Sequence, residues 1–217
     1  YGNVTESVNL NNVRSVARYG TLGRAYYAWQ QTDPVNTIPN ASGNVGASTL
    51  TTFRWCNTGS GAVACPARAR FRSKIVTTAS PTGWVYYDVL GREVLKLAQT
   101  FNAGVSGKDA TGVCTEYDAV GRAHRVSMPF FVPGTTASGE PDVAGVCTDA
   151  ARKWVKTEFD LLGRPVKVTE ANNAVSTVAY SGLTVTKTNA RNNITVEAKN
   201  ALGELAQATD AVGLSTF

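Results

Sequence analysis

The sequence predicts an all-β protein, built as an antiparallel ribbon of hairpins. Three observations carry that prediction. The phrase "YDVLGR" at residues 87–92 returns as "YDAVGR" at 117–122 and as "FDLLGR" at 159–164. Asp, Glu or Asn then punctuates the chain at 160, 170, 189, 200 and 210, with most gaps equal to one short strand plus one turn. Finally, 20 glycines and a lean towards Val, Thr and aromatic residues favour strands and turns over helices.

Catalytic motifs usually occur once, because one pocket needs one set of groups, so a recurring phrase belongs to construction. Asp is favoured at the first position of a type I turn, where its carboxylate accepts bonds from backbone N–H groups ahead of it. Gly at the fourth position tolerates positive φ. The repeated set is therefore Tyr87, Asp88, Gly91 and Arg92; Tyr117, Asp118, Gly121 and Arg122; and Phe159, Asp160, Gly163 and Arg164. "KNALGE" adds a degenerate copy at Gly203, and "YGTLGR" at 19–24 is a copy without its Asp.

Residues 1–83 read as a divergent repeat region with one long loop, "NASGNVGAST" at 40–49. Within it, "ARARFRSK" reads as a strand with Arg68, Arg70 and Arg72 on a solvated face and Ala69 and Phe71 behind. Residues 84–217 read as the regular ribbon. Near its start Trp84, Tyr86, Leu95 and Leu97 make a second face apolar, so both faces should be covered there, with the N-terminal part as the expected cover. A second long loop, "VPGTTASGEPDVAG" at 132–145, reads as a projecting excursion.

Register follows from sorting side chains by polarity. Setting Phe159 opposite Arg164 puts Val155, Thr157, Phe159, Val166 and Val168 on one face and Lys156, Glu158 and Lys167 on the other. It also predicts stacking of Arg164 on Phe159, Arg122 on Tyr117 and Arg92 on Tyr87. "LTVTKTNARNNITVEAKN" reads as a hairpin with one wet face.

Four cysteines allow three pairings, of which two local bridges, Cys56–Cys65 and Cys114–Cys147, are the simplest; free thiols in a cytosolic protein are the other reading. Bridges imply an oxidising compartment. The C-x8-C spacing does not suit a zinc site, and His124 is the sole histidine, so no metal ligands, cofactor or catalytic residues are assigned. The net charge of +5 is partly used by the arginines of the repeat, and no nucleic-acid-binding signature accompanies it. No apolar run is long enough to span a membrane. The sequons at Asn3, Asn40 and Asn193 matter only in a eukaryotic source.

At these residues the sequence resembles the YD-repeat, or RHS-repeat, family, whose hallmark is Tyr-Asp-x-x-Gly-Arg followed by a short strand, as in "YYDVLGREV", "TEYDAVGRAHRV" and "TEFDLLGRPVKV". The style is nearest to bacterial RHS proteins and the B and C components of insecticidal toxin complexes, with animal teneurins more distant. The resemblance covers about residues 84–217 and is weaker before. It implies a β-ribbon that spirals into a hollow shell around a toxic segment, with the repeats as non-enzymatic scaffold. This chain would be one arc of such a wall, in a secreted or surface-displayed bacterial protein. Its partners would be the rest of the parent chain and an enclosed toxin segment. The family's self-cleavage segment, D-P-x-G-L, is met by "DAVGL" at 210–214 with Ala211 in place of Pro, which reads as another turn. The alternative is an adhesin-like module that binds carbohydrate or protein, or assembles with itself through open strand edges.

Overall fold

The computed structural model describes residues 5–10, 13–20, 23–31, 45–57, 63–101, 109–132, 140–213 and 215–216. The described residues form seventeen strands and no helix, and the paired strands run antiparallel. Parts of both long loops (40–44 and 133–139), the sequons at Asn3 and Asn40, and Leu214 lie outside the described residues. The chain divides into two compact units, one made of residues 1–113 and 129–149 and the other of 114–128 and 150–217.

The first unit holds β1 (Glu6–Val8), β2 (Arg14–Tyr19), β3 (Ala25–Gln31), β4 (Val45–Trp55), β5 (Phe71–Thr77), β6 (Gly83–Tyr87) and β7 (Glu93–Gln99). To these it adds the first half of β8 (Ala110–Tyr117) and all of β10 (Phe130–Val132). Strands β1 to β7 each pair with the next in sequence, and β10 pairs with β8, setting Phe130 opposite Gly112. Its core is Trp84, Tyr86, Leu95 and Leu97, each at most 4% exposed. Val85 and Ser73 are buried on the opposite face of the same strands.

The N-terminal part contributes to the cover over Trp84, with Lys74 Nζ 5.8 Å from the ring centroid. The segment 140–147 also reaches this region: Glu140 accepts Trp84 Nε1, Val143 and Val146 are buried, and Cys147 Sγ lies 3.9 Å from the carbonyl of Val94. The expected projecting loop therefore folds down where it is described, because its V-x-x-V spacing and the turn at Gly145 (φ 67°) let it bury two apolar side chains. Residues 45–49 of the first expected loop likewise open β4.

The second unit holds the rest of β8, then β9 (Ala123–Ser127), β11 (Trp154–Phe159), β12 (Pro165–Thr169), β13 (Val175–Ser181), β14 (Thr184–Thr188), β15 (Ile194–Lys199), β16 (Leu205–Thr209) and β17 (Ser215–Thr216). Each pairs with its neighbour, β9 pairing with both β8 and β11. From Thr148 to Gly213 no residue is fully buried. Alternation is still clear: Val155, Thr157 and Phe159 are half-buried while Lys156 and Glu158 are exposed, as are Val175, Thr177 and Ala179 against half-buried Ser176, Val178 and Tyr180.

The faces sort as predicted, but the register does not. Asp160, not Phe159, pairs with Arg164, and Phe159 faces Pro165. A β-bulge then absorbs one residue, so that Glu158 meets Lys167 and Thr157 meets Val168. The bulge restores the polarity sorting that the tip alone would have broken. In the 183–200 hairpin there is no bulge; Val185 faces Glu197 and Thr186 faces Val196, so apolar residues fall on both faces instead of one.

Cys56 and Cys65 are joined by a disulfide. Cys114 and Cys147 are also disulfide-bonded, and no cysteine is free.

Candidate functional site: the repeated hairpin tip and a buried carboxylate seat

Every full copy of the phrase makes the same object. At Asp88 the backbone N–H donates to Arg92 O (3.0 Å), and Gly91 N–H donates to Asp88 O (3.1 Å). Asp88 Oδ1 accepts the N–H groups of Leu90 and Arg92, both at 2.9 Å. Its Oδ2 accepts Arg92 Nε at 2.7 Å. Asp118 does the same with Val120 and Arg122, and Asp160 with Leu162 and Arg164, each arginine Nε again at 2.7 Å. Gly91, Gly121 and Gly163 sit at φ 77°, 94° and 82°, where a side chain would be strained.

The degenerate copies keep the frame with different chemistry. Asn189 and Asn200 replace the carboxylate with an amide oxygen that holds the same two N–H groups. Gly20 has no side-chain oxygen, yet its N–H still reaches Arg24 O at 2.9 Å.

Two kinds of tip occur along the ribbon. Those beginning at Gly20, Asp88, Asp118, Asp160 and Asn200 are each followed by a bulge, which leaves the residue six after the tip's first without a partner in the register. Those beginning at Asn9, Glu170, Asn189 and Asp210 pair regularly. A bulge increases local twist and bends its strand, so the extra bend is applied repeatedly by one class of tip.

Each of the three aspartates is held below the ordinary carboxylate range. For Asp88 and Asp160, desolvation pushes the other way but is outweighed by the backbone N–H of the arginine, its side chain and its charge. For Asp118 the largest cause is the Arg122 backbone N–H. With both oxygens taken by donors of their own turn, these carboxylates serve as braces.

The arginines do not stack on the aromatic ring of their own hairpin. Arg122 lies over Phe159, 4.6 Å from its centroid, and its Nη1 donates to Asp160 O at 3.3 Å. Arg164 lies over Tyr180 at 4.1 Å. Tyr87 stacks instead on Phe71, at 4.8 Å and 15°. The Asp–arginine bond aims the guanidinium outward along the ribbon, where the next hairpin supplies the ring. The phrase thus links successive hairpins as well as closing each.

A second cluster was not visible in the sequence. Arg72, expected on a wet face, is 3% exposed. Its Nη1 donates to Glu140 Oε2 at 2.8 Å, Lys74 Nζ donates to Oε1 at 3.0 Å, and Trp84 Nε1 donates to Oε2 at 2.8 Å. Arg68 has φ 78°, which breaks the strand alternation assumed for "ARARFRSK"; only Arg68 and Arg70 are exposed. Desolvation raises the Glu140 pKa, but the Lys74 and Trp84 hydrogen bonds and the Arg72 charge more than offset it, leaving it lowered. Burial raises the pKa of the adjoining Tyr86 phenol, against the pull of Arg72. The only hint in the sequence was a pair of acids, Glu140 and Asp142 in "GEPDV", in an otherwise uncharged loop.

His124 occupies the bulge after the Asp118 tip, 4.0 Å from Glu116, which also pairs with Arg125 at 3.2 Å. A shallow cleft of about 310 Å³ lies over β1 to β3, and Glu6, its one ionisable lining residue, is paired with Arg14 at 3.1 Å. Among the described residues no group of three or more His, Cys, Asp or Glu could hold a metal ion, and no helix is long and apolar enough to cross a membrane.

No protein-family model matches the chain, and no curated protein sequence does. Solved structures do match. The crystal structure of TcdB2-TccC3 superposes at a TM-score of 0.69 with 15% identity, over 98% of this chain and 13% of that one. The Tc holotoxin pore of Photorhabdus luminescens, carrying the TccC3 mutation D651A, gives 0.69 with 13% identity, over 98% of this chain and 15% of that one. TcdB2-TccC3 without its hypervariable C-terminal region gives 0.68 with 12% identity, over 98% and 15%. The fold is thus that of a stretch of Tc toxin complex chains, and this chain spans about 13–15% of their length.

Proposed function

We propose that the chain is a non-enzymatic wall segment of a secreted bacterial YD/RHS-repeat protein, part of a β-shell that encloses or displays a toxin. The observation that carries this reading is the tip at Asp88, Asp118 and Asp160, whose carboxylates are consumed by their own turns, with Arg122 and Arg164 reaching rings of later strands. The likeness to Tc toxin complex chains along nearly the whole chain supports it. So does the repeated bulge after one class of tip, which bends a ribbon consistently, as a curved wall requires. Four disulfide-bonded cysteines fit an extracellular destination. The partners in this reading are the remainder of the parent chain and an enclosed toxin segment.

Limited proteolysis of the parent polypeptide tests the proposal. An enclosed segment is expected to survive protease while the wall is intact and to be digested once acid or denaturant opens it. Digestion at the same rate before and after opening would remove the enclosure. A second reading, a surface module that binds carbohydrate or protein, is favoured by one observation, the exposure of Trp55 on a rigid support.

A further inference from the structure

One face of the first unit carries aromatic rings that its core does not use. Trp55, Phe71 and Tyr87 are direct partners across β4, β5 and β6. Phe71 stacks on Tyr87 and meets the Trp55 ring edge-on, at 6.1 Å and 74°. Phe53 lies on the same face two residues earlier, with Arg24 over its ring at 5.4 Å. Trp55 is 67% exposed and Phe53 40%. A large aromatic surface facing solvent costs hydration free energy without contributing to the core.

The exposed Trp55 is also held in place. Its carbonyl accepts Val63 N–H at 3.1 Å, and Cys56 N–H donates to Arg70 O at 2.9 Å. The Cys56–Cys65 disulfide begins at the very next residue, and Phe71 buttresses the ring from the side. A ring fixed before binding loses little conformational entropy when it binds, which is what a recognition surface needs.

Charge placement identifies the ligand class. Nucleic acid stacking on such rings would require cations beside them to meet phosphates. Here strand alternation sends Arg54, Arg72 and Lys74 to the opposite face, where Arg72 and Lys74 are already bound to Glu140. Beside the rings stand Lys96, Glu93 and the stacked Arg24, two cations and one anion, which is less than the row of cations a phosphate backbone calls for. The hydroxyl-bearing Thr51, half-buried, lies two residues before Phe53 on this face. An exposed indole held rigid, with Arg24, Glu93, Lys96 and Thr51 on the same face, matches the C–H face and hydroxyl rim of a sugar.

We infer that Trp55, Phe71, Tyr87 and Phe53 form a stacking platform for a neutral oligosaccharide. The inference is independent of whether the wall encloses a toxin, and it gives the chain a binding activity that the scaffold reading lacks.

The test titrates the 217-residue chain with cello-, malto-, xylo- and chito-hexasaccharides, reading calorimetry and tryptophan fluorescence, with a poly-dT oligonucleotide in parallel. At least one saccharide is expected to bind, at least about tenfold weaker to Trp55→Ala and with partial recovery in Trp55→Phe. Trp154→Ala, which removes a ring beneath Arg125 in the other unit, is expected to bind normally. Circular dichroism melts of each variant separate lost binding from lost folding, and a Tyr87→Ala variant with a native melt gives a second readout of the row. Absence of binding by every hexasaccharide up to about 10 mM overturns the inference. So does saccharide binding indifferent to Trp55, Trp55-dependent binding of poly-dT alone, or a Trp55 effect confined to self-association in sedimentation.

Discussion

The two units are made from the same hairpins and are stabilised differently. In the first, Trp84, Tyr86, Leu95 and Leu97 are sealed under a returning segment pinned by Glu140. In the second, strands β11 to β16 bury no residue fully. There, cohesion comes from backbone ladders, Asp-braced turns, Arg–aromatic clamps such as Arg122 over Phe159, and cross-strand ion pairs such as Glu158–Lys167 and Lys187–Glu197. The comparison teaches that the repeat provides geometry everywhere, whereas a hydrophobic core forms only where an insertion supplies a second layer. A single sheet can have two apolar faces in its sequence, but it cannot bury them alone.

Core truncation should expose this difference most. Leu95→Ala is expected to cost about 2–5 kcal/mol, read as a lowered denaturant midpoint, whereas Val178→Ala, at a half-buried site in the second unit, should cost less than about 1 kcal/mol. Equal losses would mean that the second unit hides a core of its own. Next in size, Glu140→Ala leaves Arg72 buried without its carboxylate. Its cost is expected at about 2–3 kcal/mol, below that of a fully buried pair because Glu140 is partly exposed. Hydrogen exchange should then quicken at 140–147 and over Trp84 while leaving β13 to β15 unchanged.

Gly163→Ala forces a side chain into φ 82° and should cost about 1 kcal/mol. Its open surroundings, with only Arg122 Nη1 at 3.8 Å, make backbone strain the cause, not collision. By contrast, a Cβ at Gly112 would stand 2.6 Å from Leu97 Cδ2 and 3.0 Å from the Phe130 ring, so Gly112→Ala tests overpacking in the covered unit. A smaller effect is expected at the braces. Asp160→Asn should preserve protection of the Leu162 and Arg164 amides, as Asn189 and Asn200 do in their own turns, while Asp160→Ala should lose it.

Acid should act on both units through the same chemistry. Asp88, Asp118, Asp160 and Glu140 all have folded pKa values below their ordinary ones. Their contribution is therefore present above the unfolded values, near 4, and is lost as pH falls through the folded values. Melting temperature should stay level through mildly acidic pH and decline only below about pH 4. A decline beginning near pH 6 would mean that groups other than these four carboxylates govern the melt.

The hairpin tip was legible because its chemistry is local. Asp88, Gly91 and Arg92 lie within five residues and satisfy one another before any tertiary contact forms. The face sorting of Val155, Thr157 and Phe159 against Lys156 and Glu158 was legible for the same reason. The bulge was not, because an extra residue in one strand leaves no mark on the alternation of either. The arginine clamps were misassigned because turn geometry, not strand pairing, decides where the guanidinium points. Arg72 was misread because its partner lies 68 residues away, in a loop whose few apolar residues gave no periodic signal.

By itself, then, the order of residues determined the hairpins, their braces and which side of each strand avoids water, since these depend on interactions only a few bonds apart. Tertiary structure alone decided that Glu140 would seat against Arg72 and Trp84, that Val143 and Val146 would be buried, and that Trp55 would be left facing solvent. The physical reason is that burial depends on which distant segment returns to cover a face, and loop closure over tens of residues is only weakly encoded in the local pattern.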